Sequence, residues 1–152
     1  MVEYYAEQFQ YTKWAQHKLI EVTLGLNPLP DTIHSLFSHL ILAPEIWFER
    51  YHQQSSTGNP WGLVAPAELL LRSAAILEVW RTEVARLSVE ELTQPFTFVD
   101  LKGETRELVL EVVVQQLLYH SIYHRGQLAI FIREQGIQVP PTDYLVYKQT
   151  IR

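Results

Sequence analysis

The chain has 152 residues, 47% hydrophobic and 19% charged, with 12 lysines and arginines against 17 aspartates and glutamates for a net charge of −5. That is the composition of one globular domain, 1–152, long enough to bury a sizeable core, and its acidic balance without a basic run excludes a nucleic-acid partner bound through phosphates. With no cysteine there can be no disulfide, thiolate nucleophile or cysteine-held metal, so any metal ligand must be imidazole or oxygen.

The opening stretch from Met1 to Trp14 is acidic and polar where a secretory signal would be basic and then apolar, and no stretch approaches the roughly 18 apolar residues of a membrane span. The expectation is a cytoplasmic protein with no membrane partner. Tyr11, Trp14, Ala15, Leu19, Val22 and Leu26 recur at helical spacing, which predicts a first helix from Tyr4 to about Leu26, closed by Asn27-Pro28-Leu29-Pro30. A second helix is predicted from an Asp31 N-cap through Leu36, His39, Leu40, Ala43 and Trp47 to Tyr51 or Gln53. Pro44 removes one hydrogen bond inside it and predicts a kink. Ser55 to Gly62 has loop chemistry, and a third helix follows from Pro66 to Leu87.

Ser88-Val89-Glu90-Glu91 reads as a capping box. The two runs flanking Asp100-Leu101-Lys102-Gly103 predict a short β-hairpin, with Gly103 in a left-handed turn position. The longest helix is predicted from Leu108 to Glu134 or Gln135, stopped by Gly136. The tail from Val139 to Tyr144 reads as extended and packed across the rest. Four helices with mostly short links predict an all-α, antiparallel four-helix bundle with a short β-hairpin before the last helix.

Chemistry points to histidine. His120 and His124 continue the seam Leu110, Val113, Leu117 of the last helix, so both imidazoles share one face and could bind a single ion through two ring nitrogens. His39 lies on the apolar stripe of the second helix and qualifies as a third ligand. His17, His34 and His52 have the polar surroundings of solvated surface histidines. Burying His120, His124 and Gln127 together would leave polar groups unmet at roughly 1–3 kcal/mol each unless partners or a metal satisfy them. Arg125 points off the seam and is expected in an ion pair or cap. Gln127 reads as a group beside the ligands or lining a pocket. Trp47 and Tyr123 could line that pocket, as could Tyr11 and Trp14, although aromatics at helical spacing are more often plain core.

The stretch from His120 to Gln127, HSIYHRGQ, resembles the H-x3-HRGQ motif of the DinB/YfiT-like family, a group taken to be metal-dependent enzymes. His39 to Trp47 is similar to that family's first-histidine segment, H-x3-A-x3-W, apart from Pro44. Tyr11 to Ala15, the hairpin turn and Pro140 to Tyr144 match in the same order, so the resemblance spans nearly the whole chain. It implies a four-helix bundle, commonly a homodimer, whose divalent metal is held by His39, His120 and His124.

Three neutral imidazoles suit zinc, nickel or iron among divalent transition metals, and leave coordination for substrate. The expected function is a hydrolase or thiol-dependent transferase acting on a small molecule, a low-molecular-weight thiol included. The competing expectation is a non-enzymatic stress-response or metal-binding module, with the same histidines holding an ion. No carboxylate on the two seams nominates itself as a general base.

Overall fold

The computed structural model describes residues 1–52 and 58–151. Four long helices dominate it: α1 (Val2–Glu21), α2 (Asp31–Tyr51), α3 (Leu69–Arg86, entered through a 3-10 turn at Pro66–Glu68) and, after the short α4 (Val89–Leu92) and the strands β1 (Pro95–Val99) and β2 (Thr105–Val109), α5 (Leu110–Glu134). The all-α bundle expected from periodicity is therefore present, with its antiparallel hairpin directly before the last long helix. The part of the expected loop at residues 53–57, and the alternative end of α2 at Gln53, lie outside the described residues.

Side-chain pairs define how the helices run. Phe9, Lys13 and Gln16 of α1 meet Trp80, Glu78 and Ser73 of α3, so these two are antiparallel. Tyr5 bonds Glu111 near the start of α5 and Tyr11 lies under Arg125 farther along it, so α1 and α5 are parallel. Pro44 of α2 and His52 just past its end meet Trp80 and Glu83 of α3 in the same order, which makes that pair parallel. The ring is α1, α3, α2, α5, with two helices running each way; the neighbours α1·α5 and α2·α3 are parallel where an antiparallel bundle was expected, because the connection from α2 to α3 returns along the length of the bundle. Residues 58–65 carry that return beside α2: the Pro60 carbonyl meets His39, the Val64 amide donates to Ser38 Oγ, and the Val64 carbonyl meets His34.

The core is a continuous apolar cluster through all four long helices. Trp80 is wholly buried, stacked on Phe9 and edge-on to Phe48. Its indole N–H donates to the carbonyl of Pro44 at 3.0 Å. The helix runs unbroken through Pro44.

Several local expectations hold in detail. Ser88 and Glu91 form the reciprocal capping box, Gly103 and Gly136 adopt φ of +80° and +75°, and Asp100 closes the hairpin by accepting from the amides of Lys102 and Glu104. Phe96 and Phe98 alternate inward along β1 and pack on Tyr51 and Trp47, which seats the hairpin against the end of α2. Three local expectations differ, the first being that Asp31 is the opening residue of α2 after Pro30 and makes no side-chain capping bond. The first helix ends at Glu21 rather than Leu26, where the Thr23 hydroxyl turns back to the Ile20 carbonyl. The tail carries no helix from Val139 to Asp143, in keeping with the expectation, but from Tyr144 to Thr150 it forms a short helix, α6, that buries Tyr147 against Tyr11 and Ala15.

Candidate metal centre

His120 and His124 stand one turn apart on α5, and His39 faces them from the antiparallel α2. Their Nε2 atoms converge: His120 Nε2 lies 2.9 Å from that of His39 and 3.0 Å from that of His124. One ligand atom from each falls within 4.8 Å of the others. His39 and His124 are buried, and His120 is half-buried.

The outer nitrogens decide what this cluster can hold. His39 Nδ1 lies 2.6 Å from the Pro60 carbonyl, which only accepts, so Nδ1 carries the hydrogen and Nε2 is a bare lone pair. His124 Nδ1 donates in the same way to Gln127 Oε1 at 2.7 Å, which leaves its Nε2 bare too. Between them His120 Nε2 has at most one hydrogen to give. At least one pair of lone pairs is left facing without a proton, and a cation at the centre satisfies all three nitrogens. Tetrahedral zinc with Zn–N of about 2.0–2.1 Å sets its nitrogens about 3.4 Å apart, so seating an ion parts these rings by only a few tenths of an ångström. The donor set fits a divalent transition metal.

Burial pushes His120 down to about 4, with the neighbouring His124 and His39 adding to it. Burial likewise lowers His39, partly offset by the Pro60 carbonyl. Both rings are therefore neutral at pH 7, the form that ligates metals.

Two clefts reach the cluster from opposite ends. The smaller, about 170 Å³, runs between α2, α5 and the hairpin, and includes His39, His120, Trp47, Arg50 and Gln116. The larger, about 560 Å³, opens beside His124 and is lined by Asp31, Ser35, Trp61, Tyr123 and Gln127. The three residues expected to line one pocket thus divide: Trp47 lies in the smaller cleft, Tyr123 and Gln127 in the larger. Tyr11 and Trp14 belong to the cluster under α6 and line neither of these clefts.

Arg125 is the clearest departure from expectation. Instead of an ion pair or cap, it is 4% exposed, donates to Ser121 Oγ and lies over the Tyr11 ring at 5.1 Å, with no acidic partner among the described residues. Nor are the remaining histidines simply solvated: His34 meets the Val64 carbonyl, His52 approaches Glu83 at 3.8 Å, and His17 is half-buried with its Nε2 cut off from solvent. Trp61 was not anticipated at all. Its ring stacks on His39 at 3.7 Å between centroids and 2° between planes. The only hint is the turn chemistry of Asn59-Pro60-Trp61-Gly62, where Asn59 accepts from the Trp61 and Gly62 amides. Asp31 and Arg50, the charged groups lining the two clefts, are not marked as site residues by the sequence pattern either.

A model of the DinB family matches residues 29–151, a stretch containing all three histidines. Protein DinB of Bacillus subtilis (strain 168) is 23% identical over 170 residues, covering 97% of this chain and 95% of that protein.

Proposed function

The chain belongs to the DinB family, and from that premise we propose that it is a cytoplasmic metalloenzyme, one domain over 1–152, of the hydrolase or thiol-dependent transferase type. His39, His120 and His124 hold its divalent ion, zinc, nickel or iron. The observation that carries this reading is the convergence of three Nε2 atoms, two of them fixed as lone pairs by the Pro60 carbonyl and Gln127 Oε1. Such an ion supplies Lewis acidity, polarising a substrate oxygen or sulfur or lowering the pKa of a bound water or thiol toward neutrality.

The chain's own groups do the rest. Pro60 and Gln127 keep the ligand rings in one tautomer, and Trp61 clamps the His39 plane. Trp47 and Leu101 make the smaller cleft apolar and restrict water there, while Asp31, Ser35 and Tyr123 give the larger one polar groups for orienting a small molecule. Two clefts meeting at one histidine cluster favour a reactant over mere storage of an ion, as in the metal-binding or stress-response module. We also read the protein as a homodimer, since Tyr119, Ile122, Tyr123 and Ile130 leave an apolar stripe exposed on α5.

Metal-loaded protein and the triple variant H39A/H120A/H124A are to be assayed side by side on thiol adducts, epoxides, amides and esters. Turnover of one class by the loaded protein alone is expected. Binding of the ion with equal, background turnover of every class by both proteins would favour the metal-binding module.

A further inference from the structure

Arg50 is a half-buried cation with no ion-pair partner among the described residues. Its guanidinium lies 4.9 Å from the centroid of the Trp47 ring and 5.4 Å from that of Phe98, a cation–π seat between α2 and the hairpin. Its Nε is shut off from solvent and has no hydrogen-bond partner among the described residues. Buried charges are ordinarily paired, because an unpaired one forfeits its hydration. The acid whose charge acts on it, Asp100, is already committed to Arg106 and to the amides of Lys102 and Glu104. Glu45, on the same helix, is taken by Arg72.

The side chain lines the smaller cleft, the one that also contains His39 and His120. Among the described residues lining that cleft, Arg50 is the only one charged at neutral pH. It follows His39 by eleven residues on α2, about 16 Å along the axis, and side chains on a helix lean toward its N-terminus, so the guanidinium reaches back toward the imidazoles. One positive charge balances one negative charge, and a planar guanidinium fork, here seated against two aromatic rings, matches a planar carboxylate better than a dianionic phosphate.

We infer that Arg50 is the anchor for a carboxylate carried by the small-molecule substrate, whose other end reaches the histidine cluster along the cleft. The inference rests on the metalloenzyme reading for what lies at that other end, though not for the anion site itself. 4-Mercaptobutyrate, with a carboxylate at one end and a thiol at the other, is the simplest probe of such a substrate.

The side-chain Nε–H resonance of Arg50, assigned through R50K, reads the site directly. Nitrogen–proton spectra of zinc-loaded and metal-free protein are to be followed during titration with 4-mercaptobutyrate and with 4-mercaptobutan-1-ol. A saturable shift of that resonance is expected with the acid alone. In the zinc-loaded protein the acid should bind roughly tenfold or more tighter than the alcohol, the increment of a charge-assisted hydrogen-bonded pair, and R50Q should lose that preference. If both compounds bind alike and the Arg50 resonance stays still, the carboxylate anchor is wrong while the metal reading stands. If Arg50 responds to the acid but zinc neither binds nor tightens it, the anion site stands and the metalloenzyme reading falls.

Discussion

His120 sits between two imidazoles whose outer nitrogens are already spent, and the consequences can be measured one residue at a time. Gln127→Leu removes the acceptor of His124 Nδ1–H, frees that ring to change tautomer and should weaken metal affinity by roughly 10–100-fold with the helices intact; competition with a chromophoric chelator measures it. The pH dependence has a definite sign. In metal-free protein the unfolded chain takes up a proton near pH 6.5 that folded His120 refuses until about 4. Stability therefore falls as pH drops from about 6.5 to about 4 and levels off below, by at most about 3 kcal/mol from this group. Denaturant melts of H120N should show a shallower decline over that window. For the same reason metal release should begin below the usual histidine range, not at it, and zinc lost already at pH 6.5 would contradict the neutral-ring assignment.

At the scale of elements, the return segment and the hairpin matter most, because each closes one side of the site. Trp80 ties the two halves of the core together through its hydrogen bond to the Pro44 carbonyl. Trp80→Phe leaves that carbonyl without its indole donor and empties space in a fully buried position, so a loss of roughly 2–3 kcal/mol is expected in urea melts. Gly103→Ala has open space around it but φ of +80°, so its cost is backbone strain alone, roughly 1 kcal/mol. The long helices, the capping box and the hairpin could be read from the residues because each is written in local spacing and turn chemistry. The terminal helix could not: Pro140 and Pro141 precede it, and Tyr144–Thr150 is held by docking Tyr147 on Tyr11, 136 residues away in sequence. The surroundings of Arg125 are illegible in the sequence for a like reason, since its stacking on Tyr11 depends on how α1 lies along α5.

For the whole molecule, the direction of each helix was hidden in the sequence, because no local pattern says that the connection after α2 must run back along the bundle. That path is what lays Pro60 and Trp61 against His39, so the three histidines could be named from their seams and the family resemblance while the groups that orient His39 could not. The exposed stripe of α5 offers a test of assembly: sedimentation should show a dimer, and Ile122→Glu should yield monomers of unchanged helicity. The central claim, one ion held by three imidazoles, is tested most directly by elemental mass spectrometry of untagged protein beside H39A/H120A/H124A. About one transition metal per chain, absent from the variant, is the expected result; wild-type protein that carries no metal and cannot be loaded, or a variant that keeps its full complement, would contradict it.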